Sequence, residues 1–260
     1  MLHIGAMKTG TTYLQGLLQA NAEALGEAGW AVPEQRRVVR GTRQVMELTD
    51  AGDARQGPAP HWERLMDRAR RHRGVGTVIS MEFLSYARKP RMEAILESAE
   101  GLDLTVVLTV RDAARALPSQ WQSLSRNGGT QSWPDFAASA RVSGKRRADA
   151  GTKAFRRTQD IPRMVDVWSH GLPPERFVAI TVPVGGRREV LWERFLVPLG
   201  VDPALTTTDA TFDNPQLGYG SCELLRLLNS SGLSTATPSA YRRVVRHLSR
   251  GSLLGLREEQ

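Results

Sequence analysis

The segment that most constrains this fold is a turn rich in Gly and Thr near the amino terminus, with the sequence G-A-M-K-T-G-T-T over residues 5–12. The apolar stretch Leu2-His3-Ile4 precedes it, and a helical pattern of apolar residues begins at Tyr13. A strand, a glycine-rich turn and a helix in this order bind anions, because free N–H groups at a helix amino terminus point outward and the helix dipole favours negative charge there. Lys8 adds a positive charge, and the threonine hydroxyls add donors. The segment therefore predicts a site for a phosphate or sulfate ester.

The position of the lysine within this turn indicates which ester it binds. In the loop that binds nucleoside triphosphates, G-x-x-x-x-G-K-[ST], the lysine follows the second glycine. Here Lys8 precedes Gly10, and this order resembles the loop of sulfotransferases that use 3′-phosphoadenosine 5′-phosphosulfate (PAPS). The resemblance implies that Lys8 contacts the phosphosulfate and that Thr9, Gly10, Thr11 and Thr12 hold the 5′-phosphate. The alternative is a plain strand-to-helix turn with a solvated lysine.

A second candidate binding segment follows the apolar, β-branched stretch Leu104–Val110, which is typical of a buried parallel strand. Arg111 ends this strand, and Ser119 follows eight residues later on a helical pattern. The same spacing occurs in sulfotransferases, and the resemblance implies that Arg111 and Ser119 bind the 3′-phosphate of the cofactor. A guanidinium group suits this role because it contacts phosphate oxygens with two parallel hydrogen bonds. The alternative for Arg111 is a surface charge or a salt bridge.

A carboxylate, Glu82, lies just beyond the predicted strand Thr77–Ser80. In open α/β sheets, ligands bind in the crevice outside the carboxyl ends of the strands. Ser80-Met81-Glu82 resembles the segment of glycan-type sulfotransferases that carries a glutamate base, and the resemblance implies that Glu82 is the general base. An acceptor hydroxyl needs such a group, because it is a poor nucleophile until a positioned base takes its proton. The alternatives are that Glu82 caps a helix or pairs with a structural arginine.

Strands that alternate with helices predict an α/β protein with a central parallel sheet and helices on both faces. The resemblance makes this a three-layer, P-loop-like fold in a single domain over residues 1–260. It extends to segments near Gln159–Trp168, Leu191–Phe195 and Asn214–Asn229, which are similar to bacterial, especially actinobacterial, sulfotransferase-like proteins. Arg36–Pro60 is polar, basic and contains glycine, and it is predicted to be a long surface loop or lid. Lys145–Arg157 lacks periodicity and is predicted to be a mobile segment.

Composition bounds the class of protein. The chain of 260 residues is 40% hydrophobic and 24% charged, which favours a folded domain over disorder. No run approaches the roughly 18 apolar residues of a membrane span, and the chain opens directly into a strand, so we expect no integral membrane segment and no secretory signal. The single Cys222 fits a reducing, cytoplasmic location. The five histidines show no spacing typical of a metal site, so we expect no metal.

The net charge of +8 allows more than one interpretation. Nucleic-acid binding is disfavoured, because no helix-turn-helix, zinc or base-stacking motif accompanies the charge. Arginine-rich solvated helix faces are the simplest explanation. A positive field around a cleft would also favour a multiply anionic cofactor and an anionic acceptor.

Together these features predict sulfuryl transfer from PAPS to a hydroxyl or amine of a small-molecule, glycan or lipid acceptor, with 3′,5′-bisphosphoadenosine (PAP) as the product. Glu82 is the predicted base, and Lys8 stabilises the leaving phosphate. One alternative is a P-loop small-molecule or nucleotide kinase, which needs an aspartate for Mg²⁺ at a strand end and a lysine after the second glycine. The other is a non-catalytic anion-binding protein of the same fold.

Overall fold

The computed structural model describes residues 1–48, 60–141, 149–185, 187–209, 217–251 and 253. The chain packs as two compact units, one formed by Met1–Arg111 with Asp160–Phe212 and the other by Asp112–Gln159 with Asp213–Gln260. That both units fold together as a single domain stays a prediction. No helix in the described ranges is both long and apolar enough to cross a membrane.

The first unit is built on a parallel sheet of four strands. In spatial order these are β4 (Ile79–Ser80), β1 (Leu2–His3), β5 (Val106–Val110) and β6 (Phe177–Thr181). A second parallel pair joins β2 (Trp30–Ala31) to β3 (Gly76–Thr77), and Val78 alone separates β3 from β4. The predicted central parallel sheet is thus confirmed.

Seven helices in the described part of the first unit surround the sheet. They are α1 (Thr11–Ala20), α2 (Ala22–Glu27), α3 (Gln35–Val45), α4 (His61–Arg71), α5 (Lys89–Ser98), α9 (Ile161–Ser169) and α10 (Glu189–Leu196). The short β5 strand shows how they are divided, because successive side chains point to opposite faces. Val106 and Leu108 pack with α3, α4, α5 and α9, whereas Val107 packs with α1, α2 and α10. Helices therefore flank both faces, an arrangement compatible with a three-layer α/β fold.

The second unit is helical where the structure describes it. Its helices are α6 (Ala113–Arg126), α7 (Trp133–Arg141), α8 (Ala150–Gln159), α11 (Tyr219–Ser230) and α12 (Pro238–Arg250). Its core centres on the buried Trp121, whose ring stacks on Tyr219 at 4.9 Å and meets Trp133 edge-on at 5.9 Å. The indole N–H of Trp121 donates to the carbonyl of Gln131 at 3.0 Å, so this tryptophan packs as a core residue.

The predicted loop or lid over Arg36–Pro60 is wrong where the structure describes it. The first part of Arg36–Pro60 is helix α3, because Val38, Thr42 and Val45 form one apolar face despite the many arginines between them. The end of Lys145–Arg157 belongs to helix α8. Residues 49–59 and 145–148 of these stretches lie outside the described residues, and so does Asn214.

Candidate active site

The predicted site residues of the first unit gather at the carboxyl edge of its sheet. β1 lies between β4 and β5, and His3 pairs with both Ser80 and Val107. Gly5 and Glu82 each follow two residues after the His3–Ser80 pair, so the loop and the carboxylate leave neighbouring strands at the same level. From β1 the chain continues to β4 on one side of the sheet, and then to β5 and β6 on the other side. The strand order therefore reverses between β1 and β5. In parallel sheets, a crevice for ligands opens beyond the carboxyl ends of the strands at such a point.

The loop between β1 and α1 has an unusual backbone. Lys8 has φ of 68° and Gly10 has φ of 83°, both in the left-handed region. For a lysine this conformation costs roughly 1–2 kcal/mol, and such strain is typical of functional loops. The guanidinium of Arg111 donates through Nη1 to the Lys8 carbonyl at 3.2 Å and so supports this conformation. Arg111, at the end of β5, is therefore part of the loop's structure as well as a candidate ligand for phosphate.

Glycine is required at both ends of this loop. A Cβ on Gly5 would lie 2.5 Å from Thr109 Oγ1, 2.8 Å from His3 Nε2 and 3.0 Å from Thr11 Oγ1. A Cβ on Gly10 would lie 2.7 Å from the Leu191 side chain, in addition to the strain of its positive φ. The loop therefore lies directly on the polar side chains beneath it.

One hydrogen-bonded chain, whose direction can be deduced, is formed by the side chains of Thr9, Thr109, His3 and Ser80. The Thr9 hydroxyl donates to the Ala6 carbonyl at 2.6 Å, so it must accept its 2.7 Å bond from Thr109. The Thr109 hydroxyl has then used its proton, so it accepts from His3 Nε2–H at 3.1 Å. His3 Nδ1 consequently carries the lone pair that accepts from the Ser80 hydroxyl at 2.8 Å. The chain links the ends of β4, β1 and β5 to the loop.

His3 must be neutral for this chain to exist. Its side chain is fully buried, and desolvation lowers its pKa from 6.5 to about 3. The same chain corrects the predicted role of Thr9. The Thr9 side chain is fully buried and its hydroxyl serves the loop itself, so Thr9 can meet a ligand through its backbone N–H but not through its hydroxyl.

The start of α1 offers donors to an anion. Gly10 precedes the first residue of α1, no side-chain hydrogen bond caps the helix there, and the first turn holds no acidic residue. Thr11 is only 5% exposed, yet its buried hydroxyl forms no hydrogen bond with any described residue. An unsatisfied buried hydroxyl costs about 1–3 kcal/mol. Thr12 is exposed and Lys8 half-buried, so both can also reach a ligand at this end of the helix.

The Glu82 carboxylate is tied to the same helix. Glu82 opens the 3-10 turn Glu82–Tyr86, and its Oε2 accepts from Gln15 Nε2 at 3.1 Å. Gln15 Nε2 also donates to the Ser80 carbonyl at 3.1 Å. Sequence reasoning missed Gln15, although its position four residues after Thr11 places it on the same helix face. The half-buried Glu82 is thus held beside the helix that follows the glycine-rich loop.

The backbone of Glu82 is also fixed. The Ser85 hydroxyl donates to the Glu82 carbonyl at 2.6 Å, and Arg163 donates to the carbonyls of Ser85 and Ala87 at 3.1 and 3.0 Å. The Arg163 guanidinium therefore holds the turn by binding the backbone carbonyls of the turn. Glu82 itself forms no ion pair with a described residue, which disfavours the alternative of a purely structural carboxylate.

Ser119, the remaining predicted residue, belongs to the second unit. It lies on α6, which begins where the Asp112 carboxylate accepts from the Ala114 N–H at 2.9 Å. The half-exposed Ser119 donates to the Arg115 carbonyl at 3.4 Å. The structure thus brings together Lys8, Gly10, Thr11, Thr12, Glu82 and Arg111 within one unit and places Ser119 in the other.

Neither a metal-binding group among the described residues nor a match to a known protein adds to this description of the site. Within the described ranges, no group of three His, Cys, Asp or Glu side chains could hold a metal ion. No family model, curated protein or solved structure matches the chain. The resemblance to sulfotransferases therefore rests on the motifs alone.

Proposed function

We propose that this chain is a PAPS-dependent sulfotransferase with a P-loop-like fold. The observation that carries the proposal is the uncapped start of α1, with the buried and unpartnered Thr11 hydroxyl, beside a carboxylate that Gln15 holds to the same helix. A bound oxyanion would satisfy that hydroxyl and the helix N–H groups together. The residues present therefore fit a phosphosulfate.

Each residue has a distinct role in binding. Lys8 and the backbone N–H groups of Thr9 to Thr12 would hold the 5′-phosphosulfate, with the hydroxyls of Thr11 and Thr12 as further donors. Arg111 uses one of its five N–H donors on the Lys8 carbonyl, which leaves the others for the 3′-phosphate. The resemblance to sulfotransferases assigns the Ser119 hydroxyl to the 3′-phosphate as well, and this assignment stays a prediction.

The chemistry requires one proton transfer by the protein. When bound, the cofactor supplies the sulfuryl group, whose S–O bond to the 5′-phosphate breaks as the acceptor oxygen or nitrogen bonds to sulfur. Glu82 takes the acceptor's proton. The hydrogen bond from Gln15 to Oε2 orients the carboxylate for this step. Lys8 stabilises the charge left on the phosphate, so positioning and electrostatics supply most of the rate.

The test is transfer of labelled sulfate from PAPS to grouped phenol, glycan and lipid acceptors. Glu82→Gln keeps the shape of the side chain and a hydrogen-bond acceptor for Gln15, but it cannot take the proton. We expect turnover to fall ~10²–10⁴-fold while donor affinity is unchanged. The matched control is Glu93→Gln, an exposed glutamate on α5, which should leave turnover unchanged.

Other results would identify the alternatives. Phosphoryl transfer from ATP in place of sulfuryl transfer would identify a kinase. Tight PAP binding without transfer to any acceptor class would favour a non-catalytic anion-binding protein. Full activity of Glu82→Gln would refute its assignment as the base.

A further inference from the structure

A pocket rich in arginine lies between α3 and α4 in the first unit. Its volume is about 370 Å³, within the range of pockets that bind small molecules. The residues that line it, called here the arginine pocket, are Arg36, Arg37, Arg40, His61, Arg64, Leu65 and Arg68. None of them belongs to the loop or to the proposed catalytic group.

The charge of the arginine pocket is far from balanced. Glu34 pairs with Arg36 at 2.6 Å and with Arg37 at 3.3 Å. The side chains of Arg40, Arg64 and Arg68 form no hydrogen bond or ion pair with any residue in the described ranges. Five guanidinium groups around one small pocket repel one another, and within the described ranges Glu34 is the one carboxylate that pairs with any of them. A ligand that carries several negative charges would relieve this repulsion.

The floor of the arginine pocket is firmly built. A Cβ on Gly41 would lie 2.5 Å from the Leu65 side chain and 3.3 Å from the His61 carbonyl, so the two helices touch at this glycine. Val38 and Leu65 are buried at the same helix contact. The packed helices fix the backbone positions from which the arginine side chains extend around the pocket.

The same helix connects the arginine pocket with the proposed base. Gln35, the first residue of α3, donates through Nε2 to the Ser80 carbonyl at 3.4 Å. Ser80 lies two residues before Glu82, and Arg36 follows Gln35 directly. Gln35 therefore links the start of α3, the helix that supplies Arg36, Arg37 and Arg40, to the segment that carries the proposed base.

We propose that the arginine pocket binds a part of the acceptor that carries at least two negative charges, as phosphate or sulfate ester groups of a small molecule. A concave site of this volume suits a compact anionic group better than a nucleic-acid strand or a membrane surface, which need an extended basic face. Binding of the anion rests on the arginine pocket alone, whereas its role in holding the acceptor rests on the proposed function.

Calorimetry with inorganic pyrophosphate tests the arginine pocket directly. Lys8→Ala serves as the background, because it removes the lysine charge at the loop. In this background we expect Arg40→Gln/Arg64→Gln to weaken pyrophosphate binding at least about tenfold, since two charge-assisted contacts are lost. The control pair Arg71→Gln/Arg73→Gln removes the same charge at exposed positions outside the arginine pocket and should change the affinity less than about twofold.

The outcomes separate this inference from the proposed function. Equal losses in the two pairs would show a general effect of charge and overturn the arginine pocket as a site. Binding of phosphatidylglycerol vesicles that depends on Arg40 and Arg64, without binding of pyrophosphate, would overturn it in favour of a membrane surface. If pyrophosphate binding depends on the pair but PAP binds no better than ADP, the assignment to a sulfuryl acceptor falls. If PAP is preferred and the pair has no effect, the proposed function stands without this inference.

Discussion

Replacing Thr109 with valine should destabilise the protein by about 2–4 kcal/mol. Thr109 is fully buried, and its hydroxyl donates to Thr9 at 2.7 Å and accepts from His3 at 3.1 Å. Thr109→Val leaves the buried His3 N–H without an acceptor, at about 1–3 kcal/mol, and removes a further hydrogen bond of about 1 kcal/mol. A methyl group is also too large for these distances, which adds strain. The loss is a large fraction of the ~5–15 kcal/mol typical of a domain.

Urea unfolding followed by tryptophan fluorescence measures this loss. The matched control is Thr181→Val at the end of the neighbouring strand β6, where an exposed hydroxyl accepts from Arg194 at 2.9 Å. Surface changes of this kind usually stay within about 0.5 kcal/mol. If Thr109→Val costs no more than Thr181→Val, the deduced hydrogen-bonded chain does not stabilise the fold.

Two further predictions concern the same part of the molecule. Burial lowers the His3 pKa from 6.5 to about 3, so the unfolded chain binds the proton more readily and stability is lost as the pH falls from 6.5 toward 3. In urea unfolding, His3 alone should lower the free energy of unfolding by about 2 kcal/mol as the pH falls from 7 to 5, and His3→Asn should lack this loss. Gly5→Ala should abolish nucleotide binding in calorimetry, because its Cβ would lie 2.5 Å from Thr109 Oγ1, whereas Gly26→Ala, with open space around it, should bind normally.

The central architecture could be predicted from the sequence because its signals are local. An apolar strand, a glycine-rich turn and an apolar helix follow one another directly at residues 2–20, and β5 is a nearly continuous β-branched run. Helix α3 was harder to predict, since its arginines mask the apolar spacing of Val38, Thr42 and Val45. Its apolar face becomes clear when it packs against α4 and the sheet.

The hydrogen bonds between side chains of the site could not be predicted, because they join parts of the chain that are distant in sequence. His3 reaches Ser80 and Thr109, which lie 77 and 106 residues away. The Thr9 hydroxyl looked like a ligand donor in sequence, yet the fold directs it inward. Gln15 and Glu82 are similarly joined only when β1 and β4 become neighbours.

Calorimetry with PAP, ADP and ATP tests the central claim most directly. If the loop and Arg111 form a site for a 3′-phosphorylated nucleotide, PAP should bind far more tightly than ADP or ATP. Arg111→Ala should remove ~1.5–3 kcal/mol of that preference, and Ser119→Ala a smaller part, whereas Arg115→Ala, at an exposed position on α6, should leave it unchanged. Equal affinities for PAP, ADP and ATP would contradict the proposed function.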